Sequence, residues 1–344
     1  MDADLLRPLI SVVLPAFREE ASIEAALDRL EGVLEPLGDW EVVVVDDGSP
    51  DGTWELLQDL SLSRPRLRAA RLSRNFGKEA AIAAGIERAR GRVVVLMDAD
   101  LQHPPELIPE MLRLWDQDGV DVVNAVKRDR RGEGRLKTAL TRGYYGLFSR
   151  LAGFDLSQAS DFKLLDRRVA DAYLALPERQ KFFRGLVGWM GFRQASVVFD
   201  VAPRHAGRTT WSSVKLMGLA ADSIVAFSTL PMHLMTVMGL AFGAVSTVLA
   251  GQALWMWAAG EAVPGFTTVI LLLILIGAVL MTGLGIIGAY VAKIYEEVKR
   301  RPRYLVQQEL EAGAVSRPVS DTDRMDRRAP APPPWLEEGR AARR

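Results

Sequence analysis

The chain has 344 residues, 43 basic and 43 acidic side chains, 49 % apolar residues and no cysteine. That length holds two domains, or one domain and a membrane part. The lack of cysteine excludes a disulfide framework and a thiolate metal site, and the balanced charge carries no signal for a nucleic-acid partner; none is expected. Charge is unevenly spread. Residues 231–257 and 265–292 hold no Asp, Glu, Lys or Arg, whereas the first 220 residues read as an ordinary soluble protein. The acidic start, Met1-Asp2-Ala3-Asp4, is followed by no apolar run of signal-peptide length, so no secretory signal is expected.

Residues 9–14 are a β-rich run that ends at Pro15, and Ser22 is placed to cap a helix reaching Leu34. Residues 41–45 read as a second buried strand, ending on Asp46-Asp47-Gly48-Ser49-Pro50-Asp51-Gly52, after which Thr53 opens a helix. Residues 67–72 are a third strand, and the Ala-rich stretch 79–90 is helical. Residues 93–97 are apolar and β-branched, a strand buried on both faces, and end on Asp98 and Asp100. Residues 105–115 read as a helix and 120–126 as a fifth strand. Strand and helix alternate with short turns, which predicts an α/β domain with a mostly parallel sheet.

Further on, 132–153 is helical, 161–176 is a loop running into a helix, and 194–201 is an edge strand. Residues 214–227 are amphipathic, with Leu216, Leu219, Ala220 and Ile224 on one side, as in a helix lying in a membrane interface. The two charge-free runs each exceed the roughly 20 residues that cross a bilayer. Arg204, Arg208 and Lys215 precede the first, and Lys293, Lys299, Arg300, Arg301 and Arg303 follow the second, so the positive-inside rule puts both flanks in the cytoplasm. The expected organisation is a catalytic domain over 1–212, an interfacial helix over 213–230, membrane spans over 231–257 and 265–292, a basic cytoplasmic helix over 293–307 and a disordered tail over 308–344, rich in Ala, Arg and Pro.

Side chains two apart on an extended chain point to one side, so Asp98 and Asp100 can hold one divalent cation between them. In an open α/β sheet ligands bind at the carboxyl ends of the strands. A hard cation there would clamp a diphosphate. The loop after the first strand and Asp46-Asp47 after the second would share that edge, where carboxylates accept from a pyrimidine N–H or from ribose hydroxyls. Asp46-Asp47-Gly48-Ser49 is also ordinary turn chemistry. No Gly-x-Gly-x-x-Gly follows the first strand and no Gly-x-x-x-x-Gly-Lys-Ser/Thr is present, which speaks against a dinucleotide fold and a P-loop. His103, His205 and His233 make no zinc spacing; His103 is placed to orient the loop after the acids. Arg179-Gln180-Lys181-Phe182-Phe183-Arg184-Gly185 interleaves cations and rings, a surface for a lipid-linked phosphate or a solvated amphipathic helix.

Four stretches in order are specific: Pro15-Ala16-Phe17-Arg18-Glu19-Glu20, Val45-Asp46-Asp47-Gly48-Ser49-Pro50-Asp51-Gly52-Thr53, Ser73-Arg74-Asn75-Phe76-Gly77-Lys78-Glu79-Ala80, and Met97-Asp98-Ala99-Asp100-Leu101-Gln102-His103-Pro104-Pro105-Glu106. Together they resemble the family 2 glycosyltransferases, most of all the polyprenyl-phosphate branch that includes dolichyl-phosphate mannose synthase and the bacterial bactoprenol glucosyltransferases. The resemblance covers about residues 8–305. It implies a GT-A fold, a nucleotide-diphosphate sugar donor, and Mg²⁺ or Mn²⁺. Carried across, Pro15, Phe17, Glu19 and one of Asp46 or Asp47 contact base and ribose. Lys78, Asp98 and Ala99 line the nucleotide. Asp98, Asp100 and Gln102 match the metal-site pattern, and Lys127 falls where relatives carry an Arg facing the donor. Phe17 replaces the more usual Tyr, which removes a hydroxyl. The run 204–211 resembles the segment before the membrane; Thr210 stands where many relatives have Lys, leaving Arg208 or Lys215 for that phosphate contact. Arg179 and Arg204 complete the expected acceptor-phosphate set.

Asp161-Phe162-Lys163-Leu164-Leu165 resembles the stretch that faces the acceptor, where Asp161 is the usual candidate base. A phosphate monoester has a second pKa of about 6 and needs little deprotonation, so Asp161 has two alternatives: orienting the acceptor or a sugar hydroxyl, or capping the helix that follows. The resemblance thus implies an inverting transferase that moves a hexose from UDP-glucose or a UDP-N-acetylhexosamine to undecaprenyl or another polyprenyl phosphate. Lys78 or Arg184 would hold the leaving diphosphate. The enzyme would be a multi-pass inner-membrane protein, with its catalytic domain and both termini cytoplasmic, self-associating through its membrane helices. A processive polymer synthase would carry Gln-x-x-Arg-Trp and more spans, and neither is present. A non-catalytic scaffold would not need Lys78, Asp98, Asp100 and Gln102 together.

Overall fold

The computed structural model describes residues 10–100, 102–127, 161–179, 181–199, 230–260, 265–311 and 317–318. The chain divides into two compact units, one containing the strands and shorter helices, the other the two long helices.

The first unit is built on a nine-stranded sheet of order β7-β5-β6-β4-β1-β2-β3-β8-β9. Its centre is β1 (Ile10–Ala16), β2 (Trp40–Asp46), β3 (Leu67–Leu72) and β4 (Val93–Leu96), all parallel. β1, β2 and β4 are rich in Val, Ile and Leu because helices cover both faces, whereas β3 carries Arg68 and Arg71 between its buried Leu and Ala. On one face Ile10, Val12, Leu14, Val42, Val44 and Val95 form a continuous core. It includes Leu27 and Leu30 of α1 (Ile23–Leu34), Trp54 and Leu57 of α2 (Thr53–Ser63), and Met111 of α4 (Ile108–Asp118). On the other face α3 (Lys78–Arg88) lies so close that a Cβ on Gly85 would stand 2.2 Å from Val13 Cγ1. The spacing of Ile23, Ala26, Leu27, Leu30 and Leu34 is the one-sided stripe of a surface helix. Ser22 does not cap that helix; its hydroxyl bonds to Glu19 instead.

The flanks depart from a purely parallel reading. Residues 163–166 form β6 (Lys163–Asp166) rather than a loop, antiparallel to β4, with Leu96 opposite Lys163. β5 (Val122–Lys127) pairs β6, and β7 (Gln194–Phe199) closes that side as an edge strand parallel to β5. Between them run α5 (Arg167–Ala175) and α6 (Phe183–Trp189). On the other side β8 (Val306–Leu310) pairs antiparallel to β3, and β9 (Arg317–Pro318) pairs β8. Seven of the nine strands run one way, and β6 and β8 run against them. This corrects the expected basic helix over 293–307 and tail from 308. The helix preceding them ends at Val298, and residues 306–310 join the sheet because β3 offers an unpaired edge and Leu310 fills core space.

The second unit holds α7 (Leu230–Ala258, 29 residues) and α8 (Phe266–Val298, 33 residues). Among the described residues one segment, Leu275–Val298, is long and apolar enough to cross a membrane, and Met235–Leu249 is a shorter apolar run. A Cβ on Gly283 of α8 would meet Met235 Cε of α7 at 2.7 Å, the close approach that small residues permit.

Candidate active site

The carboxyl ends of β1, β2 and β4 open onto one cleft of about 300 Å³. Three turns build its rim and are tied to each other. After β1, Arg18 adopts a left-handed backbone (φ 60°), with its N–H on Ser49 Oγ at 2.9 Å, and the Glu19 N–H reaches Thr53 Oγ1 at 3.0 Å. After β2, Asp46 and Asp47 point to opposite sides, as consecutive strand residues must. Asp46 is fully buried. Its Oδ1 accepts the Ser49 N–H at 3.0 Å, and its Oδ2 makes a 3.3 Å ion-pair contact with Arg71 Nε that falls short of hydrogen-bond geometry. Asp47 accepts the N–H groups of Phe76 (2.7 Å) and Gly77 (2.8 Å), fixing the loop that delivers Lys78. Burial pushes both carboxyl groups up, and these bonds oppose it. Gly48 between these turns has φ 66°, and a Cβ there would collide with the Arg74 backbone at 2.5 Å.

After β4, the Asp98 N–H donates to His103 Nδ1 at 3.1 Å, and that imidazole stacks on Phe162 at 5.3 Å. His103 therefore orients the loop after the acids. Asp100 Oδ1 accepts the Gln102 N–H at 3.1 Å, closing a tight turn.

The cations meet Asp161. Lys78 Nζ lies 2.5 Å from Asp98 Oδ1 and 2.6 Å from Asp161 Oδ2. Arg184 grips Asp161 bidentately, Nε to Oδ1 at 2.5 Å and Nη2 to Oδ2 at 2.6 Å. Burial would raise the Asp161 carboxyl, but the Arg184 and Lys78 contacts outweigh it and hold the group well below the usual carboxylate range. Burial works against the charge on Lys78 and Arg184, and the neighbouring carboxylates reverse the sign, so both are held more firmly protonated than usual. Asp161 reaches this position through register: with Leu96 opposite Lys163 in an antiparallel pair, Asp161 falls opposite Asp98. It does not cap the next helix. Asp166 does that, accepting the Arg168 N–H at 2.9 Å.

Of the expected site residues, Pro15, Phe17, Glu19, Asp47, Lys78, Asp98, Ala99 and Asp100 line the cleft, and Asp161 and Arg184 join it through Lys78. Asp46 sits behind the wall, so Asp47 is the member of the pair that faces the ligand space. Gln102 lies in the turn beside Asp100 and does not line the cleft. Arg179 is half-buried between α5 and α6. Lys127 ends β5, and its side chain, like Arg204, Arg208 and Lys215, lies outside the described residues. Asn75, Gly77 and Ala81 also line the cleft, and Glu79 accepts the Phe183 N–H; the third motif contains all but Ala81, yet spacing gave none of them a role.

The donor set fits a hard divalent cation. Burial raises the Glu19 carboxyl, and the facing Asp100 and Asp98 raise it further, a repulsion that a cation relieves. Among the described residues no three His, Cys, Asp or Glu side chains cage a metal. Two carboxylates with an otherwise open shell suit an ion that keeps waters and takes phosphate oxygens.

The fold is an open α/β sheet in which acids and firmly charged cations converge at the carboxyl edge, the edge where such sheets bind their ligands. The chain belongs to glycosyl transferase family 2, whose model matches residues 11–173. An uncharacterized glycosyltransferase of Synechocystis is 40 % identical over 300 residues, 86 % of this chain and 94 % of the relative. A bactoprenol glucosyl transferase of Shigella phage SfII is 34 % identical over 305 residues, 87 % of this chain and 97 % of the relative. A solved structure of glucosyl-3-phosphoglycerate synthase from Mycobacterium tuberculosis, in complex with Mn²⁺, uridine diphosphate and phosphoglyceric acid, is 22 % identical. It matches 65 % of this chain and 78 % of its own with a TM-score of 0.48, too distant to bear on the site.

Proposed function

We propose that the chain is an inverting transferase that moves a hexose from UDP-glucose or a UDP-N-acetylhexosamine to undecaprenyl or a similar polyprenyl phosphate at the cytoplasmic face of a membrane. The observation that carries this is the convergence of Asp98 and Asp100 with Lys78 and Arg184 at one sheet edge. A diphosphate needs charge on both sides: acids to hold its counter-cation and fixed cations to take the charge that appears on leaving. The bactoprenol relatives support a polyprenyl phosphate as acceptor.

In this reading an oxygen of the dianionic acceptor phosphate attacks C1 of the sugar. The bond from C1 to the diphosphate oxygen breaks with its electron pair, the anomeric configuration inverts, and UDP departs. Lys78 and Arg184 face the departing charge, held in place before the reaction, which is where electrostatic catalysis gains most. Mg²⁺ or Mn²⁺ between Asp98 and Asp100 would neutralise the diphosphate. Asp161 serves as the anchor of the two cations rather than as a base, because both its oxygens are occupied and its charge is firmly held.

The apolar segment Leu275–Val298 supports membrane attachment. We extend this to a hairpin of α7 and α8, since the charge-free runs of the sequence extend over most of both helices and basic residues lie toward the outer flanks.

Membranes containing the protein are expected to release UDP from a UDP-sugar only when a short-chain polyprenyl phosphate is added, with the glycolipid seen by mass spectrometry. Release without lipid, or none across a panel of UDP-sugars, would overturn the assignment. Chelation of divalent cations should stop the release. D100A should keep its circular dichroism and lose the metal-dependent turnover, and an active D100A would remove the metal assignment.

A further inference from the structure

Glu79 follows Lys78 on α3, and its Oε2 accepts the backbone N–H of Phe183 at 2.8 Å. Phe183 opens α6 and is followed by Arg184. Two neighbouring residues of α3 thus hold two neighbouring residues of α6 by separate links: Lys78 and Arg184 share Asp161, while Glu79 takes the Phe183 N–H. A helix of seven residues has few internal bonds, and its first N–H groups need an outside acceptor. The Phe183 ring is fully buried, edge-on to Tyr173 at 5.5 Å, so the first turn of α6 is seated from both sides.

The two links differ in what they withstand. Lys78 and Arg184 are like charges kept together by one carboxylate. A diphosphate that draws them forward competes with Asp161 for the same N–H donors. The Glu79 bond is to backbone and is not in that competition. We propose that Glu79 is a positioning residue for the donor diphosphate, its carboxylate setting the backbone of α6 so that Arg184 stays beside Lys78 when the anion enters. This rests on the reading that Lys78 and Arg184 receive the diphosphate. The groups facing Glu79 are Asp161, Arg184 and Lys78, with Tyr173 on α5 behind. Burial raises its carboxyl and Asp161 adds to this; the Phe183 N–H, Arg184 and Lys78 oppose it, and the balance stands at about 7. Its partners offset only part of the cost of burying that charge.

The test is UDP binding by calorimetry, in Mg²⁺, to the detergent-solubilised full chain and to E79A, E79Q, E79D, R184A and the double variant E79A/R184A. Removing the acceptor should weaken UDP about tenfold in E79A, the scale of a lost charge-assisted hydrogen bond. E79Q should recover most of that loss, because an amide oxygen accepts the same N–H. In the R184A background E79A should add less than about twofold, since the two act through one group. Wild-type affinity in E79A overturns the proposal, and so does an equal loss with and without Arg184, which marks a merely structural role. If E79A does not fold, E79D and its double with R184A replace it in the same cycle. Failure of the wild-type protein to bind UDP overturns the functional reading itself, an outcome separate from any variant's.

Discussion

Asp161 touches two cations, and the pair decides what it can do. A base must release its partners to take a proton, and this carboxylate is gripped at both oxygens. Its folded pKa is depressed below the ordinary 3.8, so its contribution to stability is complete above that value and is lost only as the pH falls through the lower folded value. Across about pH 5 to 9 it stays ionised, and the rate profile there should carry no inflection from it. D161N should raise the donor KM about tenfold or more, because two like charges lose their common partner; kcat at saturating donor should fall less. A collapse of kcat with the donor KM unchanged would restore the role of base. The sequence made Asp161 a candidate through its motif, but it left base, orienter and helix cap open. That choice needed the partners, which lie 83 and 23 residues away in the chain. The same holds for Asp46 and Asp47: adjacent letters, of which one is sealed under the sheet edge and one faces the cleft.

At the scale of elements, the site depends on where α3 sits. Lys78 and Glu79 occupy its first turn, and its middle presses on β1 at Gly85. Val13 is β-branched and fully buried, so it cannot swing away from an added methyl group. Gly85→Ala should lower stability by about 1–3 kcal/mol, the cost of overpacking, and weaken UDP binding together with it, since the helix that carries Lys78 must lift from the sheet. Thermal unfolding and calorimetry on one preparation check both; unchanged binding in a destabilised variant would show the lift does not reach the cleft. The strands β1, β2 and β4 were legible as buried β-branched runs, and α1 as a stripe of period 3.6. β6 was not: Lys163-Leu164-Leu165-Asp166 is too short to show a period, and its pairing with β4 and β5 makes it a strand.

At the scale of the whole chain, the catalytic unit is not finished where the long helices begin. Residues 301–311 return to it. Tyr304 bonds to Glu87, Arg303 donates to the Leu176 carbonyl at 3.0 Å, and Ser73 N–H reaches the Leu305 carbonyl at 2.8 Å. β8 then covers the outer edge of β3, with Glu309 on Arg88 at 2.6 Å and Leu310 buried. Truncation after Leu305 should cost at least about 2 kcal/mol, the transfer free energy of one buried leucine, and leave a bare edge prone to association. Urea unfolding and light scattering of the solubilised protein measure this, and wild-type values for both would refute it.

By itself the sequence determined the α/β class, the central parallel strands, the acids at their carboxyl ends and the charge-free runs. Each of these is written in contiguous residues, as a period, a turn or a composition. Only the tertiary structure decided that Asp47 rather than Asp46 faces the cleft, that Asp161 binds Lys78 and Arg184, that Glu79 holds α6, and that residues 306–310 close the sheet. Those outcomes are contacts between segments far apart in the chain, fixed by strand register and by edges left open for pairing, and no local pattern of residues encodes them.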